Sequence, residues 1–332
     1  MTQSVTQPDR NAGGFNLFGF ARSQEGVVVF LLVALMIVVA VFSAASPYFF
    51  DVRNGMNIGR AISIIGIASA FTTLLMIAGG LDLSIGAVMN AAGVVAAMVL
   101  TQTNLGVGGA IVAAVAVGAL VGWVNGMFIA KLGINPLIMT IAMQFVVRGL
   151  TLGFSASASK VIVDPTFLAI GQSYFHIGPL AIPAPLLWML LTMLVLWFVL
   201  RFTLFGKYVY AVGGKASACR RAGINVNVIT IQLYMLSGIG AALAGVVLAA
   251  IQGAGIPYGA GSELSVISAV ILGGVSLAGG IGLIEGTLVA VLLVGVLKNG
   301  MTLMGISSVF QMVAEGLVLV GAVTLDRLKR RL

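Results

Sequence analysis

The chain alternates between long apolar runs and short polar, glycine-rich joints. Ten runs approach the ~20 apolar residues that a bilayer-spanning helix needs: 27–45, 61–80, 84–101, 106–130, 134–153, 183–202, 228–251, 264–280, 281–300 and 307–325. Two pairs, 61–80/84–101 and 264–280/281–300, nearly merge through Gly79-Gly80 and Gly279-Gly280. Such joints permit tight turns or helix breaks, and a break lets backbone polar groups line a cavity. The pattern predicts an all-α, polytopic membrane protein with about ten transmembrane helices. It divides the chain into a polar N-terminal segment (1–26), a membrane domain (27–325) and a basic tail (326–332).

The first run carries "FSAAS" (Phe42 to Ser46), small residues of the signal-cleavage type. A signal core usually spans about 7–15 residues behind a short leader. Here the run is longer and the leader is long, so a retained anchor is expected.

Loop charges set an orientation. With the N-terminus inside and ten spans, the inner side holds Arg10, Arg22, Lys131, Arg201, Lys207, Lys215, Arg220, Arg221, Arg327, Lys329, Arg330 and Arg331. The outer side holds Arg53, Arg60 and Lys160, while Arg148 and Lys298 fall inside spans. This is the excess that the positive-inside rule requires, and it puts both termini in the cytoplasm of a multi-pass membrane protein. Basic clusters of this kind are orientation signals, so no nucleic-acid partner is expected despite a net charge of +8.

A faint internal repeat is present. "WVNGMFIAKLGIN" (from Trp123) echoes "LKNGMTLMGIS" (from Leu297), Gln144/Arg148/Gly149 matches the spacing of Gln311/Glu315/Gly316, and "LDLSIGAV" (from Leu81) parallels "SELSVISAV" (from Ser262). The copies lie five spans apart. Five is odd, so they cross the membrane in opposite senses, as two inverted five-helix halves with a path at their interface.

Composition adds one constraint: 8% of residues are charged, against roughly 25% in soluble domains. Polar groups inside the spans are few, so each needs a partner. Asp82, Ser84, Asn90, Asn125, Gln144, Arg148, Asn299, Gln311 and Glu315 are the candidates for a substrate pathway, with Gln232, Glu285 and Lys298 beside them. Interhelical hydrogen bonding is the plainer role for any one of them. Amides, hydroxyls and a few charges suit an uncharged polyhydroxylated solute, but a proton-coupled carrier uses similar carboxylates. Asp82 is the sharpest case. In "AGGLDLSIGA" (from Ala78), an unpaired charge costs about 2.5–3.5 kcal/mol on insertion scales. A break at Gly79-Gly80 would free backbone N–H groups near Leu83–Ile85 to hold it, with Asp82 and Ser84 as an N-cap pair.

No catalytic constellation or metal-ligand cluster is legible, and no cofactor is expected. His176, the only histidine, has no Cys or His nearby. Gly206-Lys207 and Gly214-Lys215 lack the frame of a phosphate-binding loop, so the chain has no ATPase motif of its own. Cys219, the only cysteine, cannot form an intrachain disulfide.

The longest inner segment, about 205–227, reads "FGKYVYAVGGKASACRRAGINVN" from Phe205. Gly213-Gly214 is expected to break it, a short helix "KASACRRAG" follows, and Gly223 ends it. Such a helix suits docking of a cytosolic partner, through Gly206, Gly213, Gly214, Lys215, Arg220, Arg221 and Gly223.

Taken in order, "GGLDLSIGAVM", "GINPLIMTIAMQFVVRGL", "FGKYVYAVGGKASACRRAGI", "LSGIGAALAG" and "ELSVISAVILGGVSLAGGIG" resemble the membrane permease subunit of monosaccharide ABC importers of the ribose, arabinose and xylose type. The likeness covers nearly the whole chain beyond the first 25 residues. The stretch from Ile134 to Leu150 and the terminal "VTLDRLKRR" look most like the arabinose type. The resemblance implies a homodimeric pore in membrane lipid. A periplasmic sugar-binding protein feeds it, and a separate cytosolic ABC ATPase subunit that consumes ATP drives it by docking on 205–224. It also sets the Asp82 motif near the translocation region. Two departures stand out: Gly214-Lys215-Ala216-Ser217-Ala218-Cys219-Arg220 replaces the family's usual Gly-Asn-x-x-Ala-Ala-Arg, and Glu315-Gly316 stands where Arg-Gly is common. Outside the resemblance, a secondary carrier of a small polar solute is the competing reading.

Overall fold

The computed structural model describes residues 24–178, 180–258 and 262–331. Arg10 and Arg22 lie outside them, and the side chains of 325–331 are not described. The helices are α1 (Gln24–Ala45), α2 (Val52–Ile77), α3 (Ile85–Gln102), α4 (Gly106–Leu132), α5 (Pro136–Ser155), α6 (Pro165–Gln172), α7 (Ala184–Phe202), α8 (Leu204–Arg221), α9 (Val226–Gln252), α10 (Ser262–Leu272), α11 (Ile284–Leu303) and α12 (Ser308–Arg331). Two small antiparallel pairs complete the chain: β1 (Lys160–Val161) with β4 (Ala254–Gly255), and β2 (Tyr174–Ile177) with β3 (Leu180–Pro183).

Each of the ten predicted spans contains a helix. Among the described residues eight are long and apolar enough to cross a membrane: α1 to α5, α7, α9 and α11. The other two, α10 and residues 308–321 of α12, are shorter apolar helices. The main difference lies in 264–280, which is not one span. Its helix stops at Leu272, and positive φ at Gly274, Gly279, Gly280 and Gly282 carries the chain irregularly to α11. Glycine in a helix interior costs roughly 0.5–1 kcal/mol relative to alanine, so "LGGVSLAGGIG" favours this exit. The first joint breaks similarly, between Ile77 and Ile85, with Gly79 at φ +82°.

The core centres on α9, which packs on α2, α3 and α4. Tyr234 and Leu233 are buried there with Leu74, Leu75 and Ile77 of α2. Close approach to α4 depends on a stripe of small residues. A Cβ at Gly118 would overlap the Gly238 carbonyl, one at Gly122 the Tyr234 carbonyl, and one at Gly126 would lie 2.7 Å from Ile231 Cα. This spacing of four is a membrane helix-packing device. α1 sits at the edge of the bundle on α11, with Phe30, Met36 and Ile37 exposed.

Sequence determinants are clear at several ends. Asn135 accepts from Leu137 N–H ahead of Pro136, and Asp164 accepts from Thr166 and Phe167 N–H ahead of Pro165. The 205–227 segment departs from expectation. The chain is helical from Leu204 through Gly213-Gly214, and the break falls at Lys215 (φ −158°, ψ 89°). Thr203 accepts from Gly206 N–H and starts α8. Gly206 lets α8 fold back, because a Cβ there would overlap the Leu200 carbonyl. Gly223 (φ +81°) ends the second turn-and-a-half as expected.

Candidate functional site

Asp82 is buried in the loop between α2 and α3. One carboxylate oxygen accepts from the Ser84 N–H at 2.9 Å and from the Ser84 hydroxyl at 2.5 Å. The other accepts from the Ser237 hydroxyl of α9 at 2.9 Å. Asn125 of α4 donates to Ser84 Oγ at 3.1 Å. Beside this set, the Tyr234 hydroxyl accepts from Leu81 N–H (3.2 Å) and donates to Leu81 C=O (3.1 Å). Hydrogen bonds to a buried carboxylate are stronger than neutral ones, so the charge is held by directed donors from two elements.

The N-cap pairing differs from expectation. Ser84 occupies the cap position of α3 but makes no side-chain capping bond. Its hydroxyl turns back to Asp82, and only one backbone N–H reaches the carboxylate. Ser237 was the missed partner. It lies in "LSGIGAALAG", a stretch that reads as small-residue packing, and nothing in its spacing points to Asp82.

The remaining candidates fall into separate groups. Gln144 of α5 donates to Glu263 of α10 at 3.1 Å, and Gly86 provides the room, since a Cβ there would overlap the Glu263 carboxylate. Glu315 of α12 accepts from Ser265 and lies 3.6 Å from Lys298 of α11. Gln311 donates to Thr302 Oγ1 (3.1 Å) and Ile306 C=O (2.9 Å), bracing the α11–α12 turn. Asn299 donates to Asn54 at 2.8 Å and so ties α11 to the start of α2. Asn90 lies half-buried on α3. Arg148 is exposed on α5 and has no polar partner among the described residues. Among the described residues the structure therefore joins Asp82, Ser84 and Asn125 into one network, while Gln144, Asn299, Gln311 and Glu315 bond elsewhere. Glu263, which the repeat aligned with Asp82, is the acidic centre of a second group.

A cavity of about 510 Å³ opens between α3, α4 and α5, lined by Val94, Met98, Val117, Leu120, Leu150 and Phe154 among others. Its wall is almost wholly apolar and contains none of the polar candidates, so it offers a sugar hydroxyl few partners.

In the 205–227 segment, Lys215, Arg220 and Arg221 are exposed, while Gly206 is buried and Gly213 half-buried. The helix is tied down at its other face. Tyr210 donates to Gly282 C=O at 2.8 Å. Burial, together with the Glu285 carboxylate, holds the Tyr210 hydroxyl above the usual phenol range, so it stays a donor. Glu285 accepts from Trp197 Nε1 at 2.6 Å, with Arg201 at 4.0 Å.

A bundle of apolar helices with directed polar networks inside defines a polytopic membrane protein. Comparison with known proteins gives the particular family. Residues 54–323 match the family described as "Branched-chain amino acid transport system / permease component", and the chain belongs to that family. It is 40% identical over 302 residues to the ribose import permease protein RbsC of Escherichia coli K12, covering 90% of this chain and 93% of the relative. The ribose import permease of Bacillus subtilis is 37% identical, covering 89% and 91%. The L-arabinose transport system permease protein AraH of E. coli K12 is 38% identical over 317 residues, covering 95% and 93%. No solved structure matches. Ribose and L-arabinose relatives match at similar identity, so the resemblance to the arabinose type in particular is not singled out.

Proposed function

We propose that this chain is the permease subunit of an ABC importer that carries a monosaccharide, a pentose or related sugar, across the bacterial inner membrane. The observation that carries this reading is full-length similarity to ribose and L-arabinose import permeases, at 37–40% identity over about nine-tenths of the chain. A periplasmic binding protein delivers the sugar, and a separate ATPase subunit supplies the energy by docking on the exposed end of α8. Both termini are cytoplasmic.

The pore is a homodimer in this reading. Support comes from α5, where Phe145 and Arg148 are exposed one turn apart on the same side of the helix. A charge turned to lipid is costly, and a second copy over this face would cover it. Asp82 holds the broken joint, and the polar groups of α5, α10 and α12 are the pathway candidates.

The test is reconstitution in proteoliposomes with the cognate ATPase subunit and binding protein, using radiolabelled ribose and L-arabinose. Uptake of either sugar that requires both partners and ATP is expected. Uptake by the chain alone would instead identify a secondary carrier.

A further inference from the structure

We infer that Gly213 and Tyr210 form the joint through which movement of a docked ATPase subunit reaches both chain breaks at once. The inference rests on the reading of α8 as the docking helix, and adds what lies beneath it.

Three glycine pairs, far apart in sequence, meet at one point. The Gly280 N–H donates to the Ile77 carbonyl at 2.7 Å, which links the second break directly to the end of α2. Gly213 seats against that same bond. A Cβ at Gly213 would overlap the Ile77 oxygen and lie 2.6 Å from Gly280 N. From the other side, a Cβ at Gly279 would lie 2.9 Å from the Gly213 oxygen and 3.0 Å from Gly79 Cα, and one at Gly280 would lie 3.1 Å from Gly214 Cα. Gly79, Gly279 and Gly280 have φ of +82°, +83° and +79°, so the two breaks need glycine for conformation as well as for space.

Backbone packed on backbone leaves no side chain to absorb a displacement. The exposed Lys215–Arg221 portion lies beyond the break at Lys215, and the helix before that break is fixed at three points. Gly206 folds it onto α7, Tyr210 holds Gly282, and Gly213 sits on Ile77 and Gly280. Movement of this helix therefore displaces the end of α2 and the start of α11 together. The first break leads within three residues to Asp82, and the second leads to α11, where Thr287 meets Thr73 of α2 at 2.8 Å. Both are positioning elements for the pathway, with no proposed contact to the sugar.

The test uses the assembled importer with Gly213→Ala, Tyr210→Phe and, as a control in open space on α4, Gly108→Ala. Three quantities are read: co-purification of the ATPase subunit, basal ATP hydrolysis, and the ratio of sugar uptake to hydrolysis stimulated by the loaded binding protein. In Gly213→Ala uptake per ATP is expected to fall at least tenfold. Tyr210→Phe should reduce that ratio about threefold, and Gly108→Ala should match the parent. An unchanged ratio in Gly213→Ala would overturn the inference. So would loss of the ATPase subunit, since the glycine would then serve docking. Should Gly213→Ala fail to insert, Tyr210→Phe decides by the same ratio, a fall supporting the joint and parental coupling overturning it. Failure of the docking reading itself looks different: the importer carrying Arg220→Glu with Arg221→Glu would still hold its ATPase subunit.

Discussion

Replacing Asp82 by alanine removes the acceptor for two hydroxyls and one backbone N–H inside the bundle. The hydroxyls of Ser84 and Ser237 can rotate toward helix carbonyls, but the Ser84 N–H is fixed and points where the carboxylate was. An orphaned buried donor costs about 1–3 kcal/mol. With partial losses at the two hydroxyls and at Asn125, which donates to Ser84, the total is about 3 kcal/mol. Asp164→Ala provides the scale. That side chain caps α6 through Thr166 and Phe167 N–H, and loss of an N-cap costs ~1 kcal/mol. Asp82→Asn keeps an acceptor for Ser84 N–H and should fall between the two. The assay is thermal unfolding in detergent by size-exclusion of the purified chain, with membrane level and sugar uptake measured in parallel. Asp82→Ala should unfold at a clearly lower temperature than Asp164→Ala and transport less per molecule inserted. Equal unfolding temperatures and parental uptake in both would refute the view that the Asp82 network holds the broken joint.

Two further outcomes follow from the same structure. Single cysteines at Ser159, in the loop before β1, and at Ser217, on the exposed part of α8, should react with a membrane-impermeant maleimide from opposite sides of the membrane; labelling of both from one side would sink the proposed orientation. Arg220→Glu with Arg221→Glu should insert normally but lose the ATPase subunit and uptake together, because like-charge contact adds a cost beyond the ~0.2–1 kcal/mol of an exposed pair; parental co-purification and uptake would rule out a main role for these two arginines.

Runs of apolar residues near bilayer length leave a chain few choices, because unpaired backbone groups are costly in lipid and the helix satisfies them internally. For that reason the helix-bearing spans, the two joints at Gly79-Gly80 and Gly279-Gly280, and the helix end at Gly223 could be read from sequence. Asp82 also stood out, since a lone carboxylate among apolar neighbours demands a partner. Which partner was another matter. Ser237 lies 155 residues away, and a serine in a small-residue stretch looks the same whether it pads a helix crossing or holds a charge. The repeat aligned Glu263 with Asp82, yet Asp82 precedes its helix while Glu263 falls in the first turn of α10 and receives Gln144. Local order could not decide that, because it depends on which helix lies alongside. The break at Lys215 rather than at Gly213-Gly214 has the same origin. Glycine permits a break, but here its lack of a side chain serves close approach, since only tertiary packing brings Ile77 and Gly280 against Gly213.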